Sequence, residues 1–251
     1  MRPIYIMTVV TLAVALALWG GLIYLFSGRE RRYFWLLALG LPLSAIANLV
    51  FKRQAIVTVG LAAHVPPGLG LMSPAWFLLF QVLIGPGIEE AIKVTPLLFR
   101  PAWRMITGPA SAFWVGFALG VSFGLGEAAF LAYGVAQIPQ YSHLPWYAFT
   151  GFLNDRLLAC FGHGVFTAVL VTAFARGPQF ILPGYIAAFS LHFFFNLPVV
   201  LYQFQWISIE VESFGMIIPF IVIAIVFERL RRGFSAGEKL EARAEVVYLQ
   251  R

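Results

Sequence analysis

Long apolar runs alternate along the chain with short breaks that carry basic residues, Pro/Gly pairs or small polar stretches. Each run approaches the length of about 20 residues that an α-helix needs to cross a bilayer, so we predict an all-α, polytopic membrane bundle. The seven predicted spans cover residues 4–26, 33–51, 71–99, 109–137, 147–175, 180–203 and 207–228. Residues 1–232 then form a single transmembrane domain, 52–70 its longest irregular segment, and 233–251 a short cytoplasmic tail with helical character.

Composition supports lipid as the solvent of this chain. Of its 251 residues 61% are hydrophobic and 11% are charged, whereas a soluble domain carries about 25% charged residues. The net charge of +6 comes largely from basic clusters beside apolar runs, such as RERR at 29–32. Such clusters orient membrane proteins and contact anionic headgroups, so we expect no nucleic-acid partner. The single cysteine, Cys160, excludes an internal disulfide,.

The distribution of Lys and Arg predicts the orientation in the membrane. Basic residues are concentrated in the breaks after the first, third and fifth spans and in the C-terminal tail. By the positive-inside rule the N-terminus lies outside and the C-terminus lies in the cytoplasm. The first run is followed by RERR without an Ala-x-Ala cleavage site, so we expect it to be retained as a span,. The predicted location is the cytoplasmic membrane, with several passes.

A few ionisable and amide side chains lie deep within the predicted spans. An ionisable residue at mid-bilayer costs about 2.5–3.5 kcal/mol, so such residues normally face a cavity or each other. All of them come from the third to the sixth span, and the first, second and seventh contribute no charge at depth. They are Glu89, Glu90, Lys93, Glu127, Asp155, Arg156, His163, His192 and Asn196. We predict one functional site there, with the catalytic spans at about 71–203.

Helical spacing suggests which of these side chains share a face. His192 and Asn196 are one turn apart, and Lys93 is close enough to pair with one of the two glutamates, Glu89 and Glu90. The other glutamate then faces the cavity, and either assignment is compatible with the spacing. Arg156 lies two turns before His163 and is predicted to neutralise a carboxylate or hold the substrate.

Two glycine patterns lie beside these residues. Gly116, Gly120 and Gly124 form a smooth stripe on the fourth span, which predicts close approach of another helix,. The Gly85–Pro86–Gly87 sequence predicts a local break in the third span, just before the two glutamates.

Carboxylates combined with imidazoles are suited to activating water. A glutamate serves as general base while a histidine shares the proton, and a second histidine with an asparagine stabilises an oxyanion. Alternatively, two histidines and a glutamate hold zinc, with a second glutamate as base. We expect no permanently bound metal, with zinc on Glu127, His163 and His192 as the alternative. Two other functions remain open: a non-catalytic membrane scaffold and a proton-coupled transporter.

Four motifs occur in order over about residues 85–200: EE with Lys three residues after the second glutamate, then GEAAF, HGVFTA and HFFFN. In this order they resemble the PrsW family of intramembrane proteases, which is related to the type II CAAX-prenyl endopeptidases. The CAAX branch has Phe four residues before the histidine of its second motif, where this chain has Ala159. The CAAX branch therefore fits less well.

The resemblance implies a membrane-embedded protease whose substrate is a membrane-associated protein, in the PrsW type a single-span anti-sigma factor. By motif position, Glu89, Glu90 and His163 activate water. His192 and Asn196 stabilise the oxyanion, and Glu127 is a further catalytic or ligand residue. The family's mechanism is either metal-dependent or glutamate-type, and the expected partners are a protein substrate and the lipid bilayer.

Overall fold

The computed structural model describes the backbone of residues 2–66 and 73–249 and the side chains of residues 2–66 and 73–234. Within these ranges the secondary structure is entirely helical, and seven helical spans are long and apolar enough to cross a membrane. The predicted fold class is confirmed. Numbered in chain order, spans 1 to 7 are Pro3–Phe26, Tyr33–Ala62, Ala75–Leu98, Pro109–Ala136, Trp146–Arg176, Pro178–Gln203 and Ile209–Phe234.

Spans 4, 5 and 6 consist mainly of single long α-helices, and the other spans are more broken. The α-helical parts of spans 3 to 6 are Ala75–Lys93, Pro109–Ala136, Thr150–Arg176 and Ile181–Gln203. Span 1 consists of Pro3–Ala15, a π-helical turn Leu16–Gly20, and Gly21–Phe26. Span 7 consists of a short helix Ile209–Gly215 and the first part of a long helix Ile217–Leu249, which extends into the predicted tail as far as Leu249.

Span 2 is longer than the sequence pattern suggested. It runs through Tyr33–Gly40, Leu43–Ile46, a π-helical segment Ala47–Lys52 and Arg53–Ala62. The predicted end at residue 51 is wrong, because the helix continues through the basic residues Lys52 and Arg53. The irregular segment is correspondingly shorter, and residues 67–72 lie outside the described part of the chain.

Local sequence explains several helix ends. Proline occupies the first helical position of Pro3–Ala15 and Pro109–Ala136, where its missing N–H costs nothing,. Span 5 ends at Gly177, whose φ of 124° is accessible chiefly to glycine,. The helix of span 3 continues through Pro86 to Lys93 instead of ending at the Gly85–Pro86–Gly87 sequence.

Spans 4 and 5 form the centre of the bundle and are the most buried. The glycine stripe of span 4 faces the backbone of span 5: a Cβ at Gly116 or Gly124 would lie 2.7 Å from Ala168 or Cys160. A Cβ at Gly120 would overlap the carbonyl group of His163. The predicted close approach of a second helix is confirmed, and it holds His163 at a fixed distance from span 4.

Candidate active site

Spans 2 to 7 line a cavity of about 330 Å³ inside the bundle. It extends from the buried histidines to Gln203 and Phe204 at the end of span 6. The predicted site residues that line it are Glu89, Glu127, Arg156, His163, His192 and Asn196. Glu90 and Lys93 are completely buried beside it. The structure thus brings the predicted residues from four spans into one place.

Glu90 and Lys93 form a buried ion pair within one turn of span 3. The Lys93 ammonium donates to Oε1 of Glu90 at 2.6 Å, and both side chains are 0% exposed. Lys93 therefore pairs with Glu90, leaving Glu89 on the cavity side. Nζ of Lys93 also lies 4.7 Å from the centroid of the Phe123 ring, a favourable position for a desolvated cation,.

The same oxygen of Glu90 also holds His192. Nδ1 of His192 lies 2.7 Å from Oε1 of Glu90. A carboxylate only accepts hydrogen bonds, so the ring proton of a neutral His192 lies on Nδ1 and Nε2 carries a free lone pair. Phe166 stacks on the imidazole at a centroid distance of 5.0 Å and fixes its plane. A histidine oriented by a carboxylate in this way is typical of a metal ligand.

Glu89 turns its two oxygens in different directions. Oε1 lies 3.7 Å from Nζ of Lys52 in span 2. Oε2 lies 3.7 Å from Nε2 of His192 and is buried without a hydrogen-bond partner among the described residues. When His192 is neutral, two acceptor atoms therefore face each other across this 3.7 Å gap.

His163 lies between a cation and a carboxylate. The Lys93 ammonium is 2.7 Å from Nδ1, and Oε2 of Glu127 is 3.2 Å from Nε2. Because an ammonium only donates, Nδ1 accepts and the proton of a neutral His163 lies on Nε2, directed at Glu127. A metal bound through Nε2 would replace this proton, and metal binding would then release a proton.

Glu127 forms an ion pair with Arg156, which is one of the two roles predicted for this arginine. Nη1 of Arg156 donates to Oε2 of Glu127 at 2.8 Å, and Nη2 donates to Asp155 at 2.6 Å. The Asp155 side chain is 51% exposed, whereas that of Glu127 is 17% exposed. Glu127 thus lines the cavity as an oriented carboxylate, and Asp155 lies at its edge.

A metal ion fits the residues of this cavity. Glu89, His163 and His192 each offer one ligand atom, and these three atoms lie within 4.8 Å of one another. All three side chains are buried. Tetrahedral zinc with bonds of about 2.0–2.2 Å separates its ligand atoms by roughly 3.4 Å, so small side-chain movements suffice. Two histidines with one carboxylate are a known catalytic zinc set. The carboxylate in this set is Glu89, whereas the sequence suggested Glu127.

Lys52 is a charged cavity residue that the sequence analysis did not predict. The prediction that span 2 contributes no charge at depth is wrong, because Lys52 reaches the cavity beside Glu89. The error follows from ending span 2 at residue 51. The apolar residues after the KRQ sequence, such as Ile56 and Val57, were the available signal for a longer helix.

Cys160 and Ser122 are buried in the packing between spans. Cys160 is buried in the core between spans 4 and 5. The hydroxyl of Ser122 donates to the carbonyl of Leu37 and ties span 4 to span 2. Neither side chain lines the cavity.

Comparison with known proteins gives a family match over most of the chain. A family model described as PrsW family intramembrane metalloprotease matches residues 9–227. This description favours the metal-dependent alternative over our expectation of no permanently bound metal. Searches of curated proteins and of solved structures found no match.

Proposed function

Because this chain belongs to the PrsW family of intramembrane metalloproteases, we propose that it hydrolyses a peptide bond of a membrane protein within the described cavity. The observation that carries the proposal is the 3.7 Å gap between Oε2 of Glu89, which is buried without a hydrogen-bond partner among the described residues, and Nε2 of His192, which is an acceptor when the ring is neutral. Facing lone pairs in a desolvated interior are unfavourable unless a cation or a donor lies between them.

The proposed metal ligands are Glu89, His163 and His192, and the proposed metal is zinc. Zinc in such a site supplies a Lewis acid for the water and for the peptide carbonyl group. Glu90 does not bind the metal in this proposal. It accepts the Nδ1 proton of His192 and so keeps Nε2 of that ring turned towards Glu89. Lys93 neutralises Glu90, which otherwise would be an uncompensated buried charge,.

Glu127 is the proposed general base. Its carboxylate lines the cavity next to His163, and Arg156 fixes its direction. Glu127 takes a proton from water as the hydroxyl adds to the carbonyl carbon. The C–N bond then breaks, and the proton passes to the leaving nitrogen, giving a carboxylic acid and an amine. Asn196, one turn beyond His192, is proposed to donate its amide N–H to the substrate.

The proposed substrate is a single-span membrane protein of the anti-sigma class, supported by the resemblance of the four motifs. We propose that the protein lies in the cytoplasmic membrane with its N-terminus outside. At one end the cavity is lined by Gln203 and Phe204, next to the loop between spans 6 and 7, which carries no basic residue. This loop lies on the side opposite the arginine-rich loops, so in the proposed orientation substrates enter from the outer half of the membrane.

The proposed function can be tested by membrane proteomics followed by purified cleavage. Cells producing the wild type are compared with cells producing Glu127→Gln, and membrane proteins shortened only by the wild type are candidate substrates. Each candidate is then incubated with the purified wild type and with Glu127→Gln, Glu89→Gln, His163→Ala and His192→Ala. We expect the rate to fall by about 10²-fold or more in each variant, as for removal of an acid–base group.

Glu210→Gln is the matched control, since it makes the same chemical change at an exposed carboxylate of span 7. It should cleave at the wild-type rate. Full activity in all four cavity variants would refute the proposed protease site. A membrane protein that copurifies with the chain and is never cut would instead favour the scaffold alternative.

A further inference from the structure

Lys52 differs from the other cations near the cavity in how weakly it is held. Its Nζ lies 3.7 Å from Oε1 of Glu89, beyond hydrogen-bonding distance, and its side chain is 32% exposed. Lys93 and Arg156, by contrast, each donate to carboxylates at 2.6–2.8 Å. An ammonium has three donors, so Lys52 retains hydrogen-bonding capacity for a molecule in the cavity.

The backbone around Lys52 directs this side chain into the site. Lys52 is the last residue of the π-helical segment Ala47–Lys52, and such segments occur frequently at functional sites. Across the gap, span 3 presents Gly85, where a Cβ would lie 3.3 Å from Nζ of Lys52. The absence of a side chain at Gly85 leaves room for the ammonium beside Glu89.

We propose that Lys52 is a catalytic cation that donates to the carbonyl oxygen of the scissile peptide bond. This inference rests on the proposed function, since it needs a peptide bound in the cavity. Negative charge develops on that oxygen when water adds to the carbonyl carbon, and a fixed cation in a desolvated site stabilises it strongly. Lys52 lies on the cavity wall with Glu89 and His192, and its Nζ is 3.7 Å from Oε1 of the proposed ligand Glu89.

The same positive charge opposes binding of a metal cation. Lys52 already neutralises part of the charge of Glu89, and a zinc ion on that carboxylate would lie close to the ammonium. Repulsion between these two positive charges weakens zinc binding, and the partial exposure of Lys52 to solvent limits the effect,. Lys52 therefore raises the catalytic rate and lowers zinc affinity. A residue that merely positioned Glu89 would raise both the catalytic rate and the zinc affinity.

The test uses the full-length protein in lipid nanodiscs, with Lys52→Met and Lys52→Arg. Zinc affinity is measured by competition with a chelating dye, and kcat and KM are measured with a membrane protein that the wild type cleaves. We expect Lys52→Met to bind zinc about tenfold more tightly or better. Its kcat should fall by about 10²–10³, as for the loss of one oxyanion donor. Lys52→Arg keeps the positive charge, so it should lie closer to the wild type than Lys52→Met in both measurements.

Arg53→Met is the matched control, because it removes the same charge from an exposed neighbouring position. It should match the wild type in zinc affinity and kcat. Weaker zinc binding by Lys52→Met would overturn the inference and indicate a positioning role. If the wild type cleaves and Lys52→Met has the same kcat, the catalytic role of Lys52 fails alone. If the wild type cleaves no membrane protein, the proposed function fails as well.

Discussion

Nδ1 of His192 in span 6 lies 2.7 Å from Oε1 of Glu90 in span 3, and both side chains are almost completely buried. The same oxygen accepts a hydrogen bond from Lys93, which also contacts His163 in span 5. One carboxylate and one ammonium therefore connect the two histidines of the candidate site. Removing Glu90 or Lys93 should therefore lower the stability of the fold as well as the activity.

Glu90→Gln should destabilise the protein much more than Glu89→Gln. The first variant leaves the fully buried Lys93 without its carboxylate, and breaking a buried pair typically costs about 3–5 kcal/mol. The second affects Lys52, which is partly exposed and can reach water. Thermal unfolding in detergent measures the difference. In the double variant Glu90→Gln/Lys93→Met, part of the lost stability should return; strictly additive losses would argue against a coupled pair.

Gly120→Ala should separate spans 4 and 5 and displace His163. Alanine normally stabilises a helix relative to glycine by about 1 kcal/mol, but here the added Cβ overlaps the His163 carbonyl. We expect a lower unfolding temperature and loss of cleavage. Gly134→Ala on the same helix, where a Cβ meets nothing within 4 Å, is the control and should be at least as stable as the wild type. Equal behaviour of the two variants would refute the close contact.

The proposed orientation can be tested with single new cysteines. The native Cys160 is buried, so it should react little. A membrane-impermeant thiol reagent added to intact cells should label Gln140→Cys, between spans 4 and 5, and should not label Glu30→Cys, between spans 1 and 2. Labelling of Glu30→Cys alone would reverse the orientation. Permeabilised cells, in which both positions should react, provide the control for accessibility.

The seven spans, and the clustering of their buried ionisable residues around one cavity, were predictable from sequence for a simple physical reason. Apolar runs of membrane-spanning length are unmistakable, and ionisable residues inside them are rare because they are costly. The partner of Lys93 was not predictable, since Glu89 and Glu90 are both within reach along a helix. That choice depends on how span 3 is rotated against spans 5 and 6, which packing between distant segments determines.

The position of Lys52 in the cavity was likewise not predictable from the sequence. A basic residue after an apolar run normally marks a membrane interface, where it is hydrated. Here the helix continues to Ala62, and Glu89 from another span compensates the charge. The partner lies 37 positions away in sequence, so the local pattern held no sign of the pairing. The local pattern also gave no sign that Glu89, and not Glu127, groups with His163 and His192.

In the proposed mechanism, Glu89, His163 and His192 hold a metal ion while Glu127 moves the proton. Metal analysis of the purified wild type, Glu89→Gln and Glu127→Gln, combined with cleavage assays, separates these two roles. We expect zinc bound in equal amount to the wild type and Glu127→Gln, zinc lost from Glu89→Gln, and cleavage by the wild type alone. Zinc lost from Glu127→Gln but retained by Glu89→Gln, or full activity of a metal-free wild type, would rule out this assignment of roles.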